Sequence, residues 1–115
     1  MRIPCTLIAV GAGLILASAV NAEPAAPSIT LTLKNHRFSP DAVTVPAGQR
    51  IRVELINQDG AAEEFDSEDL HAEKQVAPHG KAVFQIGPLK PGVYGFMGEL
   101  HADTAQGKVT AVAAP

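Results

Sequence analysis

The chain has 115 residues, 46% of them hydrophobic and 4% aromatic, with no tryptophan and a formal charge of −3; that leaves room for one small core and argues against nucleic acid as a partner. Val, Ile, Leu and Thr supply most of the apolar and β-favouring content, and glycines and prolines fall at intervals between them, the composition of short strands joined by tight turns. No nucleophile motif, phosphate-binding glycine loop or acid–base carboxylate pair of recognisable spacing is present, so hydrolytic catalysis has no support.

Residues 1–22 open with Arg2, run through apolar residues from Leu7 to Ala19 and close on Val20-Asn21-Ala22, a small-x-small pattern suited to a signal peptidase acting after Ala22. The apolar run, about 13 residues, is short for a bilayer span, so export to the periplasm is the expectation and a retained anchor the lesser alternative. Cys5 precedes that run, whereas a lipid-bearing cysteine would follow it. Export therefore discards the single cysteine, and neither a disulfide nor a thiolate ligand remains. Arg2 leaves too but no acid does, because the first acidic residue is Glu23; the charge becomes −4, one below the −3 of the full chain. Residues 23–27 read as a flexible leader and 28–115 as one domain.

From Ser28 to Lys34, Ile29, Leu31 and Leu33 alternate with threonines, which predicts a half-buried strand. A second extended stretch, Ala42 to Val45, ends in Pro46-Ala47-Gly48, a turn. Ile51, Val53 and Leu55 then alternate with Arg52 and Glu54, predicting a third strand that Asn57-Gln58-Asp59-Gly60 breaks. The acid-rich stretch that follows, with Glu63, Glu64, Asp66, Glu68, Asp69 and Glu73, reads as a loop, either merely solvated or cation-attracting, with one helical turn expected within Asp66 to Gln75. Beyond the turn at Ala77-Pro78-His79-Gly80, strands are predicted over Lys81 to Ile86, Val93 to Met97 and Gly107 to Ala113. The expectation is an all-β, Greek-key β-sandwich of six to eight short strands.

Three segments carry a resemblance over nearly all of this domain: Phe38-Ser39-Pro40 leading to Thr44-Val45-Pro46-Ala47-Gly48, the strand ending at Ile56-Asn57, and Tyr94-Gly95-Phe96 followed by Gly107-Lys108-Val109-Thr110. Their order resembles the cupredoxin family. The resemblance implies four copper ligands, and on this chain Gly98 stands at the cysteine place, His101 at a histidine place, Ala105 or Gln106 at the axial methionine place, and Glu63 or Glu64 at the upstream histidine place. A thiolate gives a blue site its character, so no blue-copper centre is expected. The run Glu63-Glu64-Phe65-Asp66-Ser67-Glu68, with Glu73-Lys74, Ile86 to Gly92 and His101 to Gly107, is similar to EfeO-type cupredoxin-like domains, including small periplasmic proteins accompanying Ftr-type iron permeases. That likeness implies a role in iron uptake beside an iron permease or another periplasmic metal-binding protein.

Loops at one end of a cupredoxin sandwich bring the segment after the third strand beside the one after the penultimate strand, so Glu63, Glu64 and Asp66 are expected to face Met97, Glu99 and His101. His101 is the first candidate ligand because it stands at the family's ligand position in a loop. Glu64 and Met97 come next, though Met97 also fits a core position. Glu63, Asp66, Glu99 and Asp103 read as solvated acids or as partners of ligands more than as ligands themselves. Carboxylate, imidazole and thioether together suit copper, could also hold iron, and leave zinc open. His36, next to Arg37, reads as structural or exposed; His71 with Glu68 or Asp69 is a second, weaker surface candidate; His79 lies in a loop. Three functions stay open: a metal-binding module without turnover of its own, a redox partner in ferrous-iron oxidation, and a metal-free interaction domain.

Overall fold

A computed structural model describes residues 26–114 together with positions 11 and 13; apart from those two positions, the expected signal peptide lies outside the described residues. Nine strands follow in chain order: β1 Ser28–Lys34, β2 Arg37–Ser39, β3 Ala42–Pro46, β4 Ile51–Asn57, β5 Glu63–Ser67, β6 Ala72–Val76, β7 Lys81–Ile86, β8 Gly92–Gly98 and β9 Gln106–Val112. One 3-10 turn, Glu99–His101, follows β8. The strands form two sheets, ordered β2-β1-β4-β7 and β3-β9-β8-β5-β6. Among the described residues no helix is long and apolar enough to cross a membrane.

The apolar alternation decides which faces meet. Leu31 and Leu33 of β1, Ile51, Val53 and Leu55 of β4, and Ile86 of β7 are buried from the first sheet; Val45 of β3, Phe65 of β5, Phe96 of β8, and Val109 and Ala111 of β9 are buried from the second. Parallel pairing sets β1 on β4, with Leu31 opposite Leu55, and β3 on β9, with Val45 opposite Ala111. Gly48, at φ +76°, closes the turn after β3, where its N–H donates to the carbonyl of Leu89 at 2.8 Å. A positive φ is costly for residues with a Cβ and free for glycine.

Two elements differ from the sequence expectation. The acid-rich stretch is a hairpin, β5 on β6 with Glu64 opposite Gln75 and Asp66 opposite Glu73, and no helical turn forms there. In β5 the outward positions, Glu64 and Asp66, are charged and the inward ones are Glu63, Phe65 and Ser67, so apolar periodicity does not announce the strand. The short β2, which pairs with β1 through Phe38 opposite Leu33, was also unforeseen and takes the count past eight.

Candidate metal centre

Four connections gather at one pole of the sandwich. Asn57, 1% exposed at the end of β4, donates from its side-chain amide to the carbonyls of Ala61 and Ala77, at 2.8 and 3.1 Å, and accepts the N–H of Asp59 at 2.9 Å. The Asp59 carboxylate then accepts the N–H groups of Asn35 and His36 at 2.7 and 2.9 Å. Those bonds, first that from His36, hold the Asp59 carboxyl below its ordinary range, since they favour the charged form. The β1–β2 turn is thereby fixed to the β4–β5 loop.

Glu63 opens β5 with its side chain pointing inward, and it is 1% exposed. A buried carboxylate demands partners, and it has three: the N–H of Glu64 and the N–H of Leu100, each at 2.9 Å to Oε1, and Nδ1 of His101 at 2.5 Å to Oε2. A carboxylate oxygen accepts, so Nδ1 is the donor in this contact and the lone pair of the His101 ring stands on Nε2. The ring of His36 stacks on that of His101, with centroids 3.6 Å apart and planes 18° from parallel.

The alternation of β5 divides the predicted acids between two faces. Glu63 joins His101 inside the pole, whereas Glu64 and Asp66 point to the outer face of the second sheet. There Asp66 lies opposite Met97 on β8 and opposite Glu73 on β6, and Met97 is 41% exposed. Carboxylate oxygens of Glu64, Glu73 and Glu99 all lie within 4.8 Å of one another, and this is the one convergence of three or more potential metal ligands among the described residues. The half-buried Glu64 is pushed up to about 7, first by its hydrogen bond with Glu73, then by burial and by the charge of Glu99. Asp103 is exposed and His71 sits in the β5–β6 turn; neither joins these groups.

The family model for the cupredoxin-like domain matches residues 6–111. This chain belongs to the cupredoxin-like domain family. It is 47% identical over 79 residues to an uncharacterized protein of Rickettsia prowazekii (strain Madrid E), a match covering 69% of this chain and 63% of that protein's length. Among solved structures it is similar to auracyanin A, a "blue" copper protein from Chloroflexus aurantiacus, with TM-score 0.64, 14% identity, and coverage of 74% of this chain and 98% of the other. Reduced auracyanin from Roseiflexus castenholzii aligns with TM-score 0.62 and 21% identity over 80% of this chain and all of the other, at 100%. The Cu(I)-bound metal binding domain of the Streptococcus pneumoniae exporting ATPase CopA gives TM-score 0.63 and 14% identity over 74% and 84% of the two chains. At such identities the likeness is one of fold.

The cupredoxin-like pole does not fit a blue-copper ion. Gly98 offers no thiolate, and a Cβ built there meets Cδ of Glu63 at 2.6 Å. The Glu63 carboxylate occupies the space a cysteine side chain would need. Sequence reasoning missed two residues here. Glu73 could have been found from cross-strand register once β5 and β6 were paired. His36 carried one usable signal, its place just after a strand and two residues before Phe38 of the Phe38-Ser39-Pro40 segment.

Proposed function

We propose that this is a periplasmic metal-binding protein that assists iron uptake, taking copper or iron at the loop pole through His101, with the carboxylates of Glu64, Glu73 and Glu99 gathered on the outer face of the second sheet and no blue-copper centre. One observation carries the reading. Glu63, buried and triply hydrogen-bonded, holds His101 by Nδ1 and leaves Nε2 as the ring's remaining donor atom, and a carboxylate behind the far nitrogen of an imidazole is the usual support of a metal-ligating histidine. Glu63 is on this reading a positioning residue and His101 the ligand.

The surroundings support the same reading. Three carboxylates held within 4.8 Å repel one another until a cation or a proton neutralises them. Hard oxygen donors favour iron, and the imidazole favours Cu(II). Asp66 and Met97 neighbour this cluster on the outer face and extend the donor set with an oxygen and a thioether. The iron-uptake role rests on the similarity of the 63–68 and 101–107 segments to EfeO-type domains, and periplasmic location on the export-like first 22 residues. Without a thiolate a lone copper site exchanges electrons slowly, so ferrous oxidation on this reading calls on a partner protein that supplies another metal or acceptor.

Calorimetric titration of the purified protein with Cu(II) and with Fe(III) tests the site. Binding of one ion per chain that is lost in His101→Ala is expected; binding unchanged by that substitution overturns the assignment. For the physiological role, deletion of the gene should slow growth under iron limitation and leave iron-replete growth alone.

A further inference from the structure

We infer that His36 is a second imidazole donor to the ion held by His101, so that the site takes a borderline divalent cation, Cu(II) foremost, on two ring nitrogens. The inference deepens the metal-binding reading above and rests on it.

The two rings are brought together from distant parts of the chain by a costly local arrangement. Asn35 and His36 both adopt positive φ, 52° and 57°, an uncommon conformation for residues bearing a Cβ. Asp59 holds them there by accepting both backbone N–H groups, and Asp59 is itself held by the buried Asn57. Positive φ at both central residues is what a two-residue hairpin turn such as this one requires, and the Asp59 bonds fix the turn and with it the place of His36. What this turn delivers is one imidazole face against another at 3.6 Å.

The two histidines are held differently. His101 is anchored through its ring by a carboxylate whose side chain is fully buried. His36 is hydrogen-bonded only through its backbone N–H, and its partly exposed ring is held by the stack on His101 and by no hydrogen bond of its own. Lone pairs of stacked rings run side by side rather than converging, so sharing an ion requires the stack to open. His36 is the ring that turns and His101 the ring that stays. The Asp59 carboxylate lies beneath the turn, accepting the N–H groups of Asn35 and His36. Two imidazoles suit copper, zinc and nickel, and among first-row divalent ions Cu(II) binds such donors most tightly.

The test is titration of the purified protein with Cu(II), read by affinity and by nitrogen hyperfine coupling in the electron paramagnetic resonance spectrum, a signal carboxylate-bound copper lacks. The variant is His36→Asn, since asparagine tolerates the left-handed turn, and the metal-free unfolding midpoint reports whether the fold survives. Wild type is expected to show two coupled imidazole nitrogens. His36→Asn should retain one and bind at least about tenfold more weakly, the lower end of the loss seen when even an outer-shell partner of a metal ligand is removed. Unchanged affinity and an unchanged spectrum in His36→Asn, with binding abolished in His101→Ala, would overturn the role of His36 and leave the His101 site standing. If neither substitution alters binding, both readings fall.

Discussion

Even a methyl group at position 98 would sit 2.6 Å from Cδ of Glu63 and 2.8 Å from Cβ of Ala105. Neither neighbour can retreat cheaply, because the carboxylate is tied by three hydrogen bonds and Ala105 is fully buried. Gly98→Ala should therefore destabilise the protein by about 1–3 kcal/mol, the usual cost of overpacking, as measured by urea unfolding. Shortening Glu63 to Ala opens the space but unpairs its donors, so the double variant should be less destabilised than the sum of the singles, with a coupling of roughly 0.5–3 kcal/mol. At this scale the sequence was legible in part. His101 stood out by position, but Glu64 was ranked ahead of Glu63 as the acid beside it, and the contact is made by Glu63. Which of them turns inward depends on strand register, which two consecutive acids cannot reveal. His36 was read as structural or exposed because its neighbour in sequence is a cation; its neighbour in space, 65 positions along, is the other imidazole.

The β5–β6 hairpin carries the outward acids, and its register sets their charge. Glu64 has its pKa raised from 4.5 to about 7, chiefly by the hydrogen bond with Glu73 and secondarily by burial and by Glu99. The sign follows from proton linkage: between those two values the folded state keeps a proton that the unfolded state has released, so stability falls as pH rises through that window and stays reduced above it. The urea midpoint of the metal-free protein should decline from about pH 5 to about pH 8, and Glu73→Gln should flatten that decline; an identical slope in the variant would show that the glutamates do not act on each other. The hairpin was invisible in the sequence for a physical reason. Both outer positions of β5, Glu64 and Asp66, are acids, which have low β-propensity, and only one of its inward positions, Phe65, is apolar. The strands β1, β4 and β7, each with aliphatic residues at alternate positions, were legible to within a residue or two.

Across the whole molecule, four phenylalanines join the two sheets. Phe65 is 1% exposed and lies 5.0 Å from Phe96, 4.9 Å from Phe84 and 6.3 Å from Phe38, centroid to centroid. Phe65→Ala should cost about 3–5 kcal/mol, the range for a buried phenylalanine removed from a core that cannot collapse fully; thermal or urea unfolding reads it directly. The two-sheet architecture was legible because alternation and turn residues agreed along most of the chain, whereas the chemistry at its pole was not, since that depends on which loops meet. The packing of Glu63 against Gly98 also limits what a single substitution can reach. A chain holding this pair could not gain a coloured copper centre by one substitution: a sulfur at 98 would collide with the carboxylate, and an imidazole at 63 would arrive with no thiolate to join. Any single step in that direction passes through a less stable protein, so sterics keep such a centre two changes away.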